Sequence, residues 1–186
     1  MPEHVVPIAI AQPFVKAVGD EWLAAIALRV LEEDDAPPCE LSVTVTDDET
    51  VRGLNREYAG EDEVTDVLSF SQQEGEEIVG PPGGVPALGE VVIAYPQAVR
   101  QAEEVGRSVE EEVARLLIHG TLHLLGYDHA EPEEERRMRG REEELLGVIE
   151  MGSPSGPSEA SDSAGRRASV RQGSDSEHGE SAKRTD

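Results

Sequence analysis

The chain has 186 residues, enough for one domain with a buried core and short for two. Its formal net charge of -24 at pH 7 argues against tight, non-specific nucleic-acid binding, in which neutralised phosphates supply much of the affinity. The single cysteine, Cys39, excludes an internal disulfide and a thiolate zinc cluster, and no apolar run reaches the about 18 residues of a membrane span.

Met1 to Gln12 has neither a basic region nor a small-residue cleavage pattern, so a cytoplasmic protein without membrane contact is expected. Pro13 to Leu31 places Phe14, Val18, Trp22, Ala25, Ile26 and Val30 at three- and four-residue spacing, which predicts an amphipathic helix. Asp34 to Pro38 then makes a turn. Leu41 to Val45 alternates apolar and polar residues as a half-buried strand does. Asp47 or Asp48 can cap the following helix, on which Val51, Leu54 and Tyr58 share a face. Thr65 to Ser71 is a second strand, Gln72 to Ala87 a polar, mobile loop, and Gly89 to Ala94 a third strand. A short helix over Gln97 to Val105 follows.

Ser108-Val109-Glu110-Glu111 is a capping box that opens the next helix. Its Val113, Leu116, Leu117, Leu124 and Leu125 form a core stripe, so this is expected to be the most buried helix. Glu131 to Ile149 closes the domain, with Met138, Leu145 and Leu146 opposite a charged side. From residue 152 to Asp186 the composition turns to Ser, Gly, Asp, Glu and Arg. Such a segment buries too little apolar surface to offset its ordering entropy. The organisation expected is a domain over 1–151 and a disordered tail over 152–186.

Chemistry concentrates in His119-Gly120-Thr121-Leu122-His123-Leu124-Leu125-Gly126-Tyr127-Asp128-His129, which holds three of the five histidines. On a helix His119 and His123 project from one face, one turn apart. Gly126 can take the left-handed conformation that ends the helix and returns His129 toward the same point. Three converging nitrogens with an open fourth position are the geometry of a catalytic zinc site, His119, His123 and His129 being the ligands and one Zn²⁺ the cofactor. The spacing is also that of metzincin zinc proteases, in which a Glu directly after the first histidine is the general base. Here that position is Gly120, which takes no proton. His4 and His178 read as surface residues.

The stretch resembles the YbeY endoribonucleases, the bacterial rRNA maturation factors. The likeness extends upstream to Leu54-Asn55-Arg56-Glu57-Tyr58, to Thr65-Asp66-Val67-Leu68-Ser69-Phe70 and to Leu88-Gly89-Glu90-Val91-Val92-Ile93, and covers about residues 40 to 150. The resemblance implies a single α/β (α+β) domain: a small mixed sheet surrounded by helices, with zinc held by three histidines at the end of a central helix. It also implies a metal-dependent, single-strand-specific endoribonuclease acting in 3′-end maturation of small-subunit rRNA and in ribosome quality control. The partners would be single-stranded rRNA and the small ribosomal subunit.

One departure bears on activity. After the Leu-Asn-x-x-Tyr run the family has an arginine and a basic turn, whereas Ala59, Glu61 and Glu63 stand here. An arginine beside a zinc site would fork onto phosphate, and alanine cannot. Arg52 and Arg56 on the preceding helix are the candidate substitutes, with a solvated helix face as the plainer reading. Asp128 either orients an imidazole or caps the turn after it. Asp66 and Ser69 read as backbone hydrogen-bond partners on their strand, Tyr127 as packing, Glu90 as solvent-facing and Cys39 as an ordinary small residue. A ribosome-associated assembly factor that keeps the zinc site but has lost most cleavage is the alternative reading. A metalloprotease ranks below both.

Overall fold

Residues 3–73 and 82–152 are described by a computed structural model of the chain. The central part of the expected mobile loop, the tail and His178 lie outside them. The chain divides into units Met1–Ser153 and Pro154–Asp186, and all described residues belong to the first.

Their order is β1 (Ile8–Ile10), α1 (Asp20–Glu33), β2 (Glu40–Thr46), α2 (Asp48–Ala59), β3 (Val67–Ser71), β4 (Ala87–Ala94), α3 (Tyr95–Val105), α4 (Val109–Leu124) and α5 (Pro132–Gly152). The sheet is mixed, in the order β1-β2-β4-β3. β1 pairs with β2 in parallel, β2 with β4 in parallel, and β3 with β4 antiparallel. The expected fold class, a small mixed sheet surrounded by helices, is the one observed.

Side-chain alternation explains the layers. Leu41, Val43 and Val45 of β2 and Val91 and Ile93 of β4 point to one face, where Leu23, Ile26 and Val30 of α1 and Val113, Leu117 and Ile118 of α4 bury them. Val92 and Ala94 point to the other face, against Val51 and Leu54 of α2 and Leu68 and Phe70 of β3. β4 is therefore apolar without alternation from Val91 to Ala94, as a strand covered on both faces must be. α4 buries ten of its sixteen residues and runs through the larger core.

Four expectations are corrected. α1 starts at Asp20, not Pro13: Gly19 is extended at φ -87, ψ 132, and residues 12–18 form turns even though Phe14 and Val18 fit the helical stripe. β1 was not foreseen, because three residues carry too little periodicity and the strand exists only by pairing with β2. Glu90 is not solvent-facing; it accepts the Thr44 hydroxyl at 2.9 Å across the β2–β4 pair. His4 is half-buried, its Nδ1 lying 3.6 Å from the Cys39 thiol. Burial raises the Cys39 pKa and keeps that thiol protonated.

Candidate metal centre

The site begins with the cap of α4. The Ser108 hydroxyl accepts the Glu111 N–H at 3.1 Å, while the Glu111 carboxylate bridges Arg107 and Arg115, each at 3.2 Å. From that fixed start the helix carries His123 in its last turn and His119 one turn before it. Gly120 between them packs onto the sheet: a Cβ there would meet Val91 Cγ1 at 2.8 Å and Ser69 Oγ at 3.1 Å. The Ser69 hydroxyl also donates to the Gly120 carbonyl at 3.1 Å, pinning the helix to β3 beside the first histidine. Gly120 is thus a close-approach glycine, and its neighbours leave no room for the acid a zinc protease carries there.

The helix ends as its sequence demands. Gly126 has φ 101, and the N–H groups of Gly126 and Tyr127 return to the carbonyls of His123 and Leu122, both at 3.1 Å. This is a Schellman ending. It reverses the chain so that the His129 ring centroid lies 5.7 Å from that of His123 and 6.0 Å from that of His119. His129 is thus brought beside both helix histidines singled out by spacing, while the possible ligand atoms of His119 lie outside the tightest group.

Their hydrogen bonds decide which nitrogens face outward. His123 Nδ1 lies 3.0 Å from the Tyr127 carbonyl, an acceptor only, so Nδ1 carries a proton and in the neutral ring the lone pair falls on Nε2. His119 Nδ1 contacts Glu142 Oε1 at 2.5 Å, and the Glu142 carboxylate holds the His119 pKa above the ordinary histidine value against the opposing effect of burial. Asp128 lies against His129. Its Oδ1 accepts the His129 N–H at 2.7 Å and lies 3.8 Å from His129 Nδ1. Among the described residues, the group whose possible ligand atoms all lie within 4.8 Å of one another is His123, Asp128 and His129. Nitrogen donors with carbonyl and carboxylate partners behind them suit a borderline-soft divalent ion such as zinc.

A cleft of about 280 Å³ opens beside these rings, lined by His119, His129, Glu135, Met138, Arg139 and Glu142. The arginine on its wall is Arg139 of α5. Arg52 and Arg56 are turned to Asp62 instead: Arg52 holds both carboxylate oxygens, at 2.8 and 3.1 Å, and Arg56 lies 3.9 Å away. Arg52 in turn holds the Asp62 carboxyl below its usual pKa. Sequence reading missed Glu142 and Arg139. A signal for Glu142 was present, since it lies four residues after Met138 and three before Leu145, a carboxylate on an otherwise buried stripe. Tyr127 packs as expected, under Arg137 at 5.4 Å and with its hydroxyl 3.3 Å from Asp34.

Comparison with known proteins bears on the whole of this arrangement. Residues 11–150 match the family described as Endoribonuclease YbeY. Two relatives named Endoribonuclease YbeY are 44% identical over 140 residues in Roseiflexus castenholzii and 42% identical over 150 residues in Pelotomaculum thermopropionicum. These alignments cover 74% and 78% of this chain, and 88% and 98% of the relatives. The solution structure of TM1509 from Thermotoga maritima is similar in fold, with a TM-score of 0.52 and 25% identity over 87% of this chain and 100% of that one. Because the match takes in β2 to β4, the glycine-ended helix and α5 as far as residue 150, the chain belongs to the Endoribonuclease YbeY family.

Proposed function

We propose that this chain is a zinc-dependent, single-strand-specific endoribonuclease that acts in 3′-end maturation of small-subunit rRNA and in ribosome quality control. The observation that carries the reading is the convergence of His119, His123 and His129 at the end of α4, in a chain whose relatives are named endoribonucleases. His119, His123 and His129 would hold one Zn²⁺, with Asp128 close enough to steer His129 or to add an oxygen donor. Bound there, zinc would lower the pKa of a bound water, polarise a phosphoryl oxygen, or both. The residues around it position the substrate. Arg139 is the arginine on the cleft wall, and it is held by Glu135 at 2.6 Å; like Arg52 and Arg56 on Asp62, it would meet a phosphate by releasing its carboxylate partner. The active unit would be residues 1–151 in the cytoplasm, with 152–186 a tail outside it. Among the described residues no helix is long and apolar enough to cross a membrane.

A second reading has its own support. Ala59 and the Asp62 pairing of Arg52 and Arg56 leave fewer arginines to stabilise a phosphate during cleavage, as in an assembly factor that keeps its metal but cleaves weakly. A metalloprotease is disfavoured by the tight packing at Gly120. One experiment separates the three: zinc-loaded protein on single-stranded rRNA, beside His119→Ala and a chelator-treated control. Cleavage lost in both controls supports the nuclease. RNA binding without cleavage supports the assembly factor, and peptide hydrolysis lost in His119→Ala supports the protease.

A further inference from the structure

We propose that Glu142 is a positioning residue for His119: it accepts the Nδ1 proton and thereby presents Nε2 to the metal. The proposal rests on the three-histidine metal reading above. An imidazole can carry its single proton on either nitrogen, and only the unprotonated one binds a metal. For His123 a backbone carbonyl makes the choice, and that acceptor comes with the turn itself. His119 lies inside the helix, where no such carbonyl is offered, and the choice falls to a side chain 23 residues away on α5.

The placement of Glu142 is set by more than one contact. Met138 and Leu145 on the same helix are 1% and 0% exposed, so α5 cannot rotate without uncovering them. Arg141 is held by Asp34 at 2.9 Å and by the Glu33 carbonyl at 2.7 Å, and Glu143 meets Arg115 of α4 at 2.7 Å. These fix the register of α5 on both sides of Glu142. Asp66 is the other carboxylate that acts on His119, but its oxygens are committed, to the Val67 N–H at 2.8 Å and to Gln101 at 3.1 Å. Glu142, with its side chain 20% exposed, is the acceptor in contact with the ring. A carboxylate behind a ligating imidazole both orients the ring and strengthens its lone pair, and loss of such a partner weakens metal binding about 10–100-fold.

The test is zinc affinity by chelator competition at fixed pH on the full chain, with the histidine ring tautomers read by nitrogen NMR in the metal-free protein. Glu142→Ala is expected to bind zinc about 10–100-fold more weakly, and its His119 ring to lose the preference for a proton on Nδ1. Glu142→Gln, which keeps the shape and an amide oxygen, is expected to fall between and serves if the alanine variant does not fold. Glu144→Ala removes an exposed carboxylate of the same helix, leaves the Arg141 links to Asp34 and the Glu33 carbonyl in place, and should leave both readouts unchanged; an effect of helix charge alone predicts a loss here too. Unchanged affinity and tautomer in both Glu142 variants overturns the proposal and leaves the metal centre standing. A wild type that binds no zinc overturns both.

Discussion

Gly120→Ala tests whether α4 is pressed against the sheet beside the first histidine. The new methyl carbon would lie 2.8 Å from Val91 Cγ1, 3.2 Å from Val91 Cγ2 and 3.1 Å from Ser69 Oγ. Val91 is fully buried and β-branched, so it has no open rotamer to retreat to, and the helix must lift instead. Overpacking of this kind costs about 1–3 kcal/mol. It is partly offset, because alanine inside a helix is about 1 kcal/mol more favourable than glycine. Gly140→Ala is the control. It is also helical, and a Cβ there meets nothing within 4 Å, so the propensity gain stands alone. Subtracting one variant from the other cancels the propensity and leaves a difference of about 1–3 kcal/mol. For a domain of this size each kcal/mol is roughly 2–4 °C in Tm. Urea and thermal unfolding of the metal-free variants should place Gly140→Ala above the wild type and Gly120→Ala below Gly140→Ala by that margin. Equal stabilisation in both would mean that α4 does not approach the sheet as described.

Other outcomes follow from the same contacts. Arg141→Met removes the guanidinium that joins Asp34, the Glu33 carbonyl and Glu144, and should cost about 1–3 kcal/mol in urea unfolding, chiefly because the Asp34 carboxylate keeps only the long Tyr127 hydroxyl contact. Ser108→Ala, which loses the cap of α4, should cost about 1 kcal/mol by the same measurement. The His119–Glu142 pair sets a pH dependence whose sign differs with metal. In the metal-free protein the folded pKa is raised, so this stability is full below the ordinary histidine pKa and lost as pH rises through the raised value. The urea-midpoint gap between wild type and His119→Asn should narrow over that window. With zinc the sign reverses, since ligation needs a neutral imidazole and affinity grows as pH rises. Metal analysis should find about one zinc per chain, lost in His119→Ala.

The features legible in the sequence were those whose cause is local. The spacing of His119 and His123, the turn at Gly126 and the Ser108 cap each depend on a few neighbouring residues, and each is present. Gly120 was legible only as a missing acid; its role against Val91 depends on how α4 lies over β4, which no local pattern encodes. β1 and the start of α1 failed for a related reason. Ile8 to Ile10 becomes a strand only because Val43 to Val45 lies alongside, and Phe14 and Val18 match a helical stripe that Gly19 interrupts. Glu142 and Arg139 reach the cleft through the packing of α5, and Arg52 and Arg56 were drawn away by Asp62, a partner ten and six positions on. Paired side chains distant in sequence are where reading along the chain ends.

The strand order also constrains how this chain can be made. β4 sits between β2 and β3, both of which leave the ribosome before it, and β3 pairs with β4 alone within the sheet. Until Ala94 has emerged, only the short β1–β2 ribbon can assemble, and β3 waits without a neighbour. Loop closure over such separations precedes any reward in contacts. The histidines come later still, so the surface on which α4 lies can be complete before the first of them appears. A nascent chain released before residue 87 would leave the β4-facing edge of β2 unpaired and its apolar face without the cover of α4, a state suited to proteolysis or to chaperone capture.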